Sequence, residues 1–189
     1  MDDADEEWFT ICDEKNIMLE KNNNSDYKIT FNIHSKTGED TVLNVLKNGQ
    51  LFELLAALNP DVIDNITVTE DDDIHNVFMT FKNGDQDDGE EMDKIINIYF
   101  SLKYNFKENK CIIMSQKSEN AHEYSGIKKH SKESLHVSKI KLKVVEKNNK
   151  TSVCLTFKVD DTKKTNNIIN MYIGLYFKKI FYRFKQYFE

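Results

Sequence analysis

The sequence predicts a single α+β domain in which a curved antiparallel sheet wraps around a long C-terminal helix and encloses an apolar cavity. Three observations predict it. Over 27–33 the apolar residues Tyr27, Ile29, Phe31 and Ile33 fall on every second position, the period of a half-buried strand. Between 63 and 160 six further runs of strand length (63–69, 75–81, 95–106, 111–116, 135–145, 152–159) are separated by polar turns and two longer polar loops, 83–91 and 122–132. The last stretch, 166–188, has helical length and an apolar belt wider than packing on one side requires. One domain spanning 1–189 is expected, because Pro occurs once, Gly six times, and no linker divides the chain.

The remaining elements follow in order. Trp8 and Phe9 sit in an acidic stretch of helical character, and 16–19 begins a strand that a turn at 22–25 closes. Ser35 or Thr37 caps a helix with Glu39 and Asp40 in its first turn and Val42, Leu43, Val45 and Leu46 along it. After Gly49, Leu51 to Leu58 makes a second short helix, which Pro60 ends. Consecutive antiparallel strands with helices segregated to one side, closed by a final helix, form the helix-grip arrangement, which leaves a space between sheet and helix.

Composition bounds the function. Apolar residues make up 39% and charged residues 31%, enough for a core and too polar for a membrane protein. Cys12, Cys111 and Cys154 are widely spaced and odd in number, so neither a disulfide framework nor a zinc site is indicated, and a reducing, cytoplasmic setting is expected. The acidic start lacks the basic-then-apolar pattern of a secretory signal. Residues 1–93 carry 24 acids and 6 bases, residues 94–189 carry 8 acids and 20 bases, so the net charge of -6 hides halves of -18 and +12. Such halves attract each other as two solvated faces, or the second offers a basic surface to an anionic membrane or nucleic acid. His34, His75, His122, His130 and His136 show no metal-ligand spacing, and no Gly-rich phosphate loop or nucleophile elbow is present, so neither catalysis, cofactor nor metal is expected. Lys139, Lys141 and Lys143 offer a basic strand face, without the aromatics of a nucleic-acid platform.

With these elements in place the chain resembles a START domain, the lipid transfer module related to the steroidogenic acute regulatory protein. Trp8 stands where the family opens with a Trp, and Asn97-Ile98-Tyr99-Phe100-Ser101-Leu102-Lys103 resembles its Arg-Asp-Phe-Val-Ser-Leu-Arg strand, keeping Ser101 and Leu102. Cys111 to Ser115, Ser118, Gly126-Ile127-Lys128-Lys129 and Val159-Asp160 resemble later family motifs. Asn97-Ile98 replaces the Arg-Asp pair, the Trp-Asp expected near Asn59 to Asp61 is absent, and no Gly or Pro precedes the last helix.

The resemblance implies a monomeric peripheral protein that holds one lipid in an internal cavity and transfers it between membranes. Tyr172, Ile173, Tyr176, Phe177 and Ile180, spaced by three and four, would line the lid, or else fill a solid core. Composition alone points Ile98, Phe100, Leu102, Tyr104 and Phe106 inward, whereas the resemblance implies the opposite, with Tyr99, Ser101 and Lys103 inward and Lys103 pairing a headgroup, and the expectation follows the resemblance. Met79 stands where some sterol-binding relatives carry an acid, which favours a phospholipid or fatty acyl ligand. Lys178, Lys179 and Arg183, interleaved with the helix aromatics, would touch an anionic membrane. The alternative is a ligand-free helix-grip module that binds protein or nucleic acid.

Overall fold

A computed structural model describes residues 7–34, 41–71, 73–82, 96–116, 134–159 and 167–189. In chain order these form β1 (Trp8–Glu14), β2 (Ile17–Asn22), β3 (Asp26–His34), α1 (Val42–Lys47), α2 (Leu51–Leu58), β4 (Ile63–Asp71), β5 (Ile74–Phe81), β6 (Ile96–Lys107), β7 (Lys110–Ser115), β8 (Ser134–Lys147), β9 (Lys150–Val159) and α3 (Asn167–Phe188). The strands make one curved, unclosed sheet in the order β1-β2-β3-β9-β8-β7-β6-β5-β4. Neighbours run antiparallel; beyond the end of short β7, β8 also reaches β6 and pairs Asn97–Tyr99 in parallel with Ser134–His136.

Two hairpins turn on paired residues of positive φ, Lys15 and Asn16 (56° and 58°) and Asn148 and Asn149 (53° and 58°), the left-handed pair whose twist matches that of the flanking strands. Between them the sheet keeps strict register: β3 pairs β9 from Asp26 opposite Lys158 to His34 opposite Lys150. The alternation predicted for 27–33 is therefore real, with Tyr27, Ile29, Phe31 and Ile33 all buried. In β8 a bulge at Ser138/Lys141, with Lys139 at φ 51°, resets the phase. Val137, Ile140, Leu142 and Val144 are thereby all buried, while Lys139, Lys141 and Lys143 stay exposed.

Two local readings are corrected. The segment at Trp8 is a strand, not a helix, laid on the sheet edge with a bulge between Thr10 and Cys12 that spoils its alternation. The cap of α1 is Thr41, whose hydroxyl accepts from the Asn44 amide at 3.2 Å; Ser35 and Thr37 lie outside the described residues. Gly49 at φ 71° turns the chain from α1 into α2, with the Gln50 amide donating to the Val45 carbonyl.

The wide belt of α3 finds cover on two flanks: β2 and β3 on one side, α2 on the other. Gly174 allows the closest approach, since a Cβ there would lie 2.9 Å from two ring carbons of Tyr27. The Tyr27 ring stacks on Phe157 (5.4 Å between centroids), is fully buried, and its hydroxyl has no hydrogen-bond partner among the described residues; burial pushes its pKa up to about 12. An orphaned buried hydroxyl costs about 1–3 kcal/mol. Tyr27→Phe is thus expected to raise the melting temperature, and an unchanged or lower value in a thermal scan would count against this burial.

Candidate functional site

Between the sheet and the helices lies a small cavity of about 40 Å³. Its wall is Leu51, Phe52 and Leu55 of α2, Met79 of β5, Phe100 and Leu102 of β6, Ile113 of β7, Ile140 and Leu142 of β8, Leu155 and Phe157 of β9, and Phe177 and Phe181 of α3. Every one of these side chains is apolar. Ligand sites for drug-sized molecules usually measure about 300–1,000 Å³. The cavity is roughly a tenth of that, so α2 and α3 fill the space with Phe52, Phe177 and Phe181. Phe177 is the keystone, its ring 4.7 Å from Phe157 and 6.2 Å from Phe81 between centroids.

Of the residues read from sequence, Met79 and Phe177 line this cavity. Tyr176 sits beside it, half-buried, its ring 5.8 Å from Phe81. Ile173 and Ile180 are fully buried in the surrounding core rather than on the cavity wall. The side chain of Tyr172 lies outside the described residues, as do Ser118 and Gly126 to Lys129.

The orientation expected for β6 is reversed. Ile98, Phe100 and Leu102 are buried toward the helices, so alternation turns Tyr99, Ser101 and Lys103 to the opposite face of the sheet. There the Ser101 hydroxyl donates to Asn76 Oδ1 at 2.6 Å, the Tyr99 hydroxyl donates to the same oxygen at 3.3 Å, and Lys103 is exposed. Burying three large apolar side chains, about 1.5–3 kcal/mol each, outweighs anything gained by turning one ammonium into an apolar interior. The wall residues that sequence reading left out, such as Leu142, Leu155 and Phe157, carried the inward phase of the same alternation.

The three cations of α3 assigned to membrane contact are engaged within the chain. Asp61, in the turn between α2 and β4, accepts from both Arg183 terminal nitrogens and, at 2.9 Å, from Lys179. Lys178 donates to Cys12 Sγ at 2.7 Å and lies 3.6 Å from Glu14, both in β1. The acidic and basic halves thus do attract each other, and α3 is slung between β1 and the α2–β4 turn. The turn is itself fixed, because Asn59 is fully buried, donates to the Leu55 carbonyl at 2.9 Å and accepts from the Val62 and Ile63 amides.

Hydrogen bonds from Arg183 and then Lys179 hold the Asp61 carboxyl well below the usual carboxylate range. A lowered folded value stabilises the ionised clasp above the unfolded pKa of about 3.9, and that stability drains away as pH falls from there. Protection of the amides in α2 and the last turns of α3, measured against their intrinsic exchange rates, is expected to fall below about pH 4, and in Asp61→Asn already at neutral pH. Equal protection in the variant would show that the clasp holds nothing.

Among the described residues, no three His, Cys, Asp or Glu side chains gather as a metal site, and no helix is long and apolar enough to cross a membrane.

Comparison with solved structures decides what this arrangement is similar to. The human StAR-related lipid transfer protein 5 superposes with a TM-score of 0.64 at 7% identity, covering 96% of this chain and 86% of that one. The human StarD13 lipid transfer and protein localization domain gives 0.62 at 12%, covering 97% and 90%. The fold is START-like. A STAR-related lipid transfer protein fragment from Xanthomonas axonopodis agrees, with a TM-score of 0.55 at 10% identity over 82% of both chains. No family profile matches the sequence and no curated protein does, so the START-like likeness is one of architecture.

Proposed function

We propose that this chain binds a single acyl chain, of a phospholipid or fatty acid rather than a sterol, between the sheet and α2–α3, and carries it between membranes as a monomer. The observation that supports this most is the wall itself: among the described residues, thirteen side chains from seven elements converge on one seam and none is polar. A sterol hydroxyl seated there would be left unpaired at about 1–3 kcal/mol, whereas an acyl chain has nothing to satisfy. Each buried methylene gains about 0.8 kcal/mol, so ~14 of them supply on the order of 11 kcal/mol. That sum must cover the cost of parting Phe52 from Phe177 and Phe181, because the closed seam is too small for the ligand. A headgroup then stays at the mouth, where its charge remains hydrated.

A second reading, a helix-grip module that binds another macromolecule with its interior permanently filled, is favoured by the cavity volume of about 40 Å³. Native mass spectrometry separates the two. After incubation with phosphatidylcholine vesicles and removal of the vesicles, the acyl reading expects one lipid per chain, and cholesterol in place of the phospholipid is expected to leave the chain empty. A chain that stays empty with both supports the filled module.

A further inference from the structure

On the face of the sheet turned away from α3 lies an open groove of about 470 Å³, within the usual size of a small-molecule site. The strand register lays one row across its middle: Asp13 opposite Met18, Met18 opposite Thr30, Thr30 opposite Cys154, and Cys154 opposite Lys143. The groove therefore has a cationic end and an anionic end. At the cationic end Lys143 is joined by Lys141 on the same strand, about 7 Å along it, and by Lys103 two strands further on, about 10 Å from Lys141 across Met114. None of these three lysines pairs with an acid among the described residues, whereas nearby Lys28 is held by Glu20 at 2.9 Å. At the other end stands the Asp13 carboxylate. The floor between them is mostly polar: β3 and β9 carry the Thr30 hydroxyl, Cys154, Ser152 and the Asn32 amide, whose oxygen already accepts from Ser152 at 2.9 Å, while Met18 flanks Asp13 on β2 and Val145 flanks Lys143 on β8.

A ligand that fits has a phosphate at one end and hydroxyls along the rest of its length. We infer that this groove is a second binding site, for a phosphorylated polyol such as a sugar phosphate or inositol phosphate. The Lys143 and Lys141 ammonium groups take the phosphate through charge-assisted hydrogen bonds. Asp13 accepts from ring hydroxyls at the far end, the Thr30 hydroxyl and the Asn32 amide meet those in the middle, and the C–H face of the ring lies on Met18. With a net charge of -6 the whole chain repels a large polyanion, so the groove suits a compact one. It lies across the sheet from the acyl seam, so either site can fail without the other.

The same polyol phosphate can be free or borne on a lipid, and two probes tell these apart: inositol trisphosphate in solution, and phosphatidylcholine vesicles with or without phosphatidylinositol bisphosphate. Binding is measured for the wild type, for K141E/K143E, and for K147E/K150E, which makes the same change of charge on the β8–β9 turn outside the groove. The inference expects K141E/K143E to weaken binding about tenfold or more while K147E/K150E stays near wild type. Binding of the free probe names a soluble ligand; binding only to the bisphosphate vesicles, with the same variant dependence, names the lipid headgroup. No binding to either probe, equal weakening in both variants, or no loss in K141E/K143E would overturn the site. Lys143→Gln, which keeps a long polar side chain on the strand, guards against misfolding and is expected to weaken binding in the same direction.

Discussion

Truncating Phe177 to alanine is expected to lower the unfolding free energy by about 3–5 kcal/mol, as for other large-to-small changes in a packed core. Phe177 is the α3 side chain that meets both Phe157 and Phe81, and it forms part of the wall of the small cavity. Removing its ring joins that cavity to a new void, with no small neighbour able to close it. The loss has a second signature. If the seam takes an acyl chain, the enlarged void relieves part of the cost of opening. A saturating fatty acid should then raise the melting temperature of Phe177→Ala more than that of the wild type. Chemical denaturation with and without the ligand reads both numbers, and a variant as stable as the wild type would remove Phe177 from its central place.

The second large effect is expected at Gly174. A Cβ there would meet the Tyr27 ring at 2.9 Å, and that ring cannot swing aside because it is buried and stacked on Phe157. Alanine gains about 1 kcal/mol of helix propensity over glycine, which offsets part of a typical overpacking cost of about 1–3 kcal/mol. Gly174→Ala should therefore lose about 1 kcal/mol net. Valine brings a larger clash and a smaller helical gain, so Gly174→Val should lose about 3 kcal/mol. If Gly174→Ala instead raises stability, α3 does not approach β3 as closely as described.

Most of the fold was legible because its strands obey a period of two that burial enforces. The predicted runs of β3 to β9 match the observed strands within a residue or two, and Pro60 marks the end of α2. The misreadings have local causes. β1 is an edge strand whose bulge destroys alternation, and its acidic residues resemble a helix start. In β6 two cues conflicted, and hydrophobic phase overrode the likeness that turned Lys103 inward. The cations of α3 were visible, but their partner, Asp61, lies more than a hundred residues away in the chain, and no local pattern links them. The size of the interior was not legible at all, since it depends on how rings from α2, β9 and α3 interlock. The groove on the outer face was hidden for a similar reason: Asp13, Thr30, Cys154 and Lys143 become one row only when β1, β2, β3, β9 and β8 align.

The proposed function requires the seam to open and admit an acyl chain against a wall whose described side chains are all apolar. The most direct measurement is a set of intermolecular nuclear Overhauser effects between a bound fatty acid and isotope-labelled methyl groups. Contacts are expected from the acyl methylenes to the methyls of Met79, Leu55, Ile113 and Leu142, which line the seam together. Contacts confined to methyls on the outside of the molecule, such as those of Met114 and Val68, or no contact at saturating ligand, would contradict it.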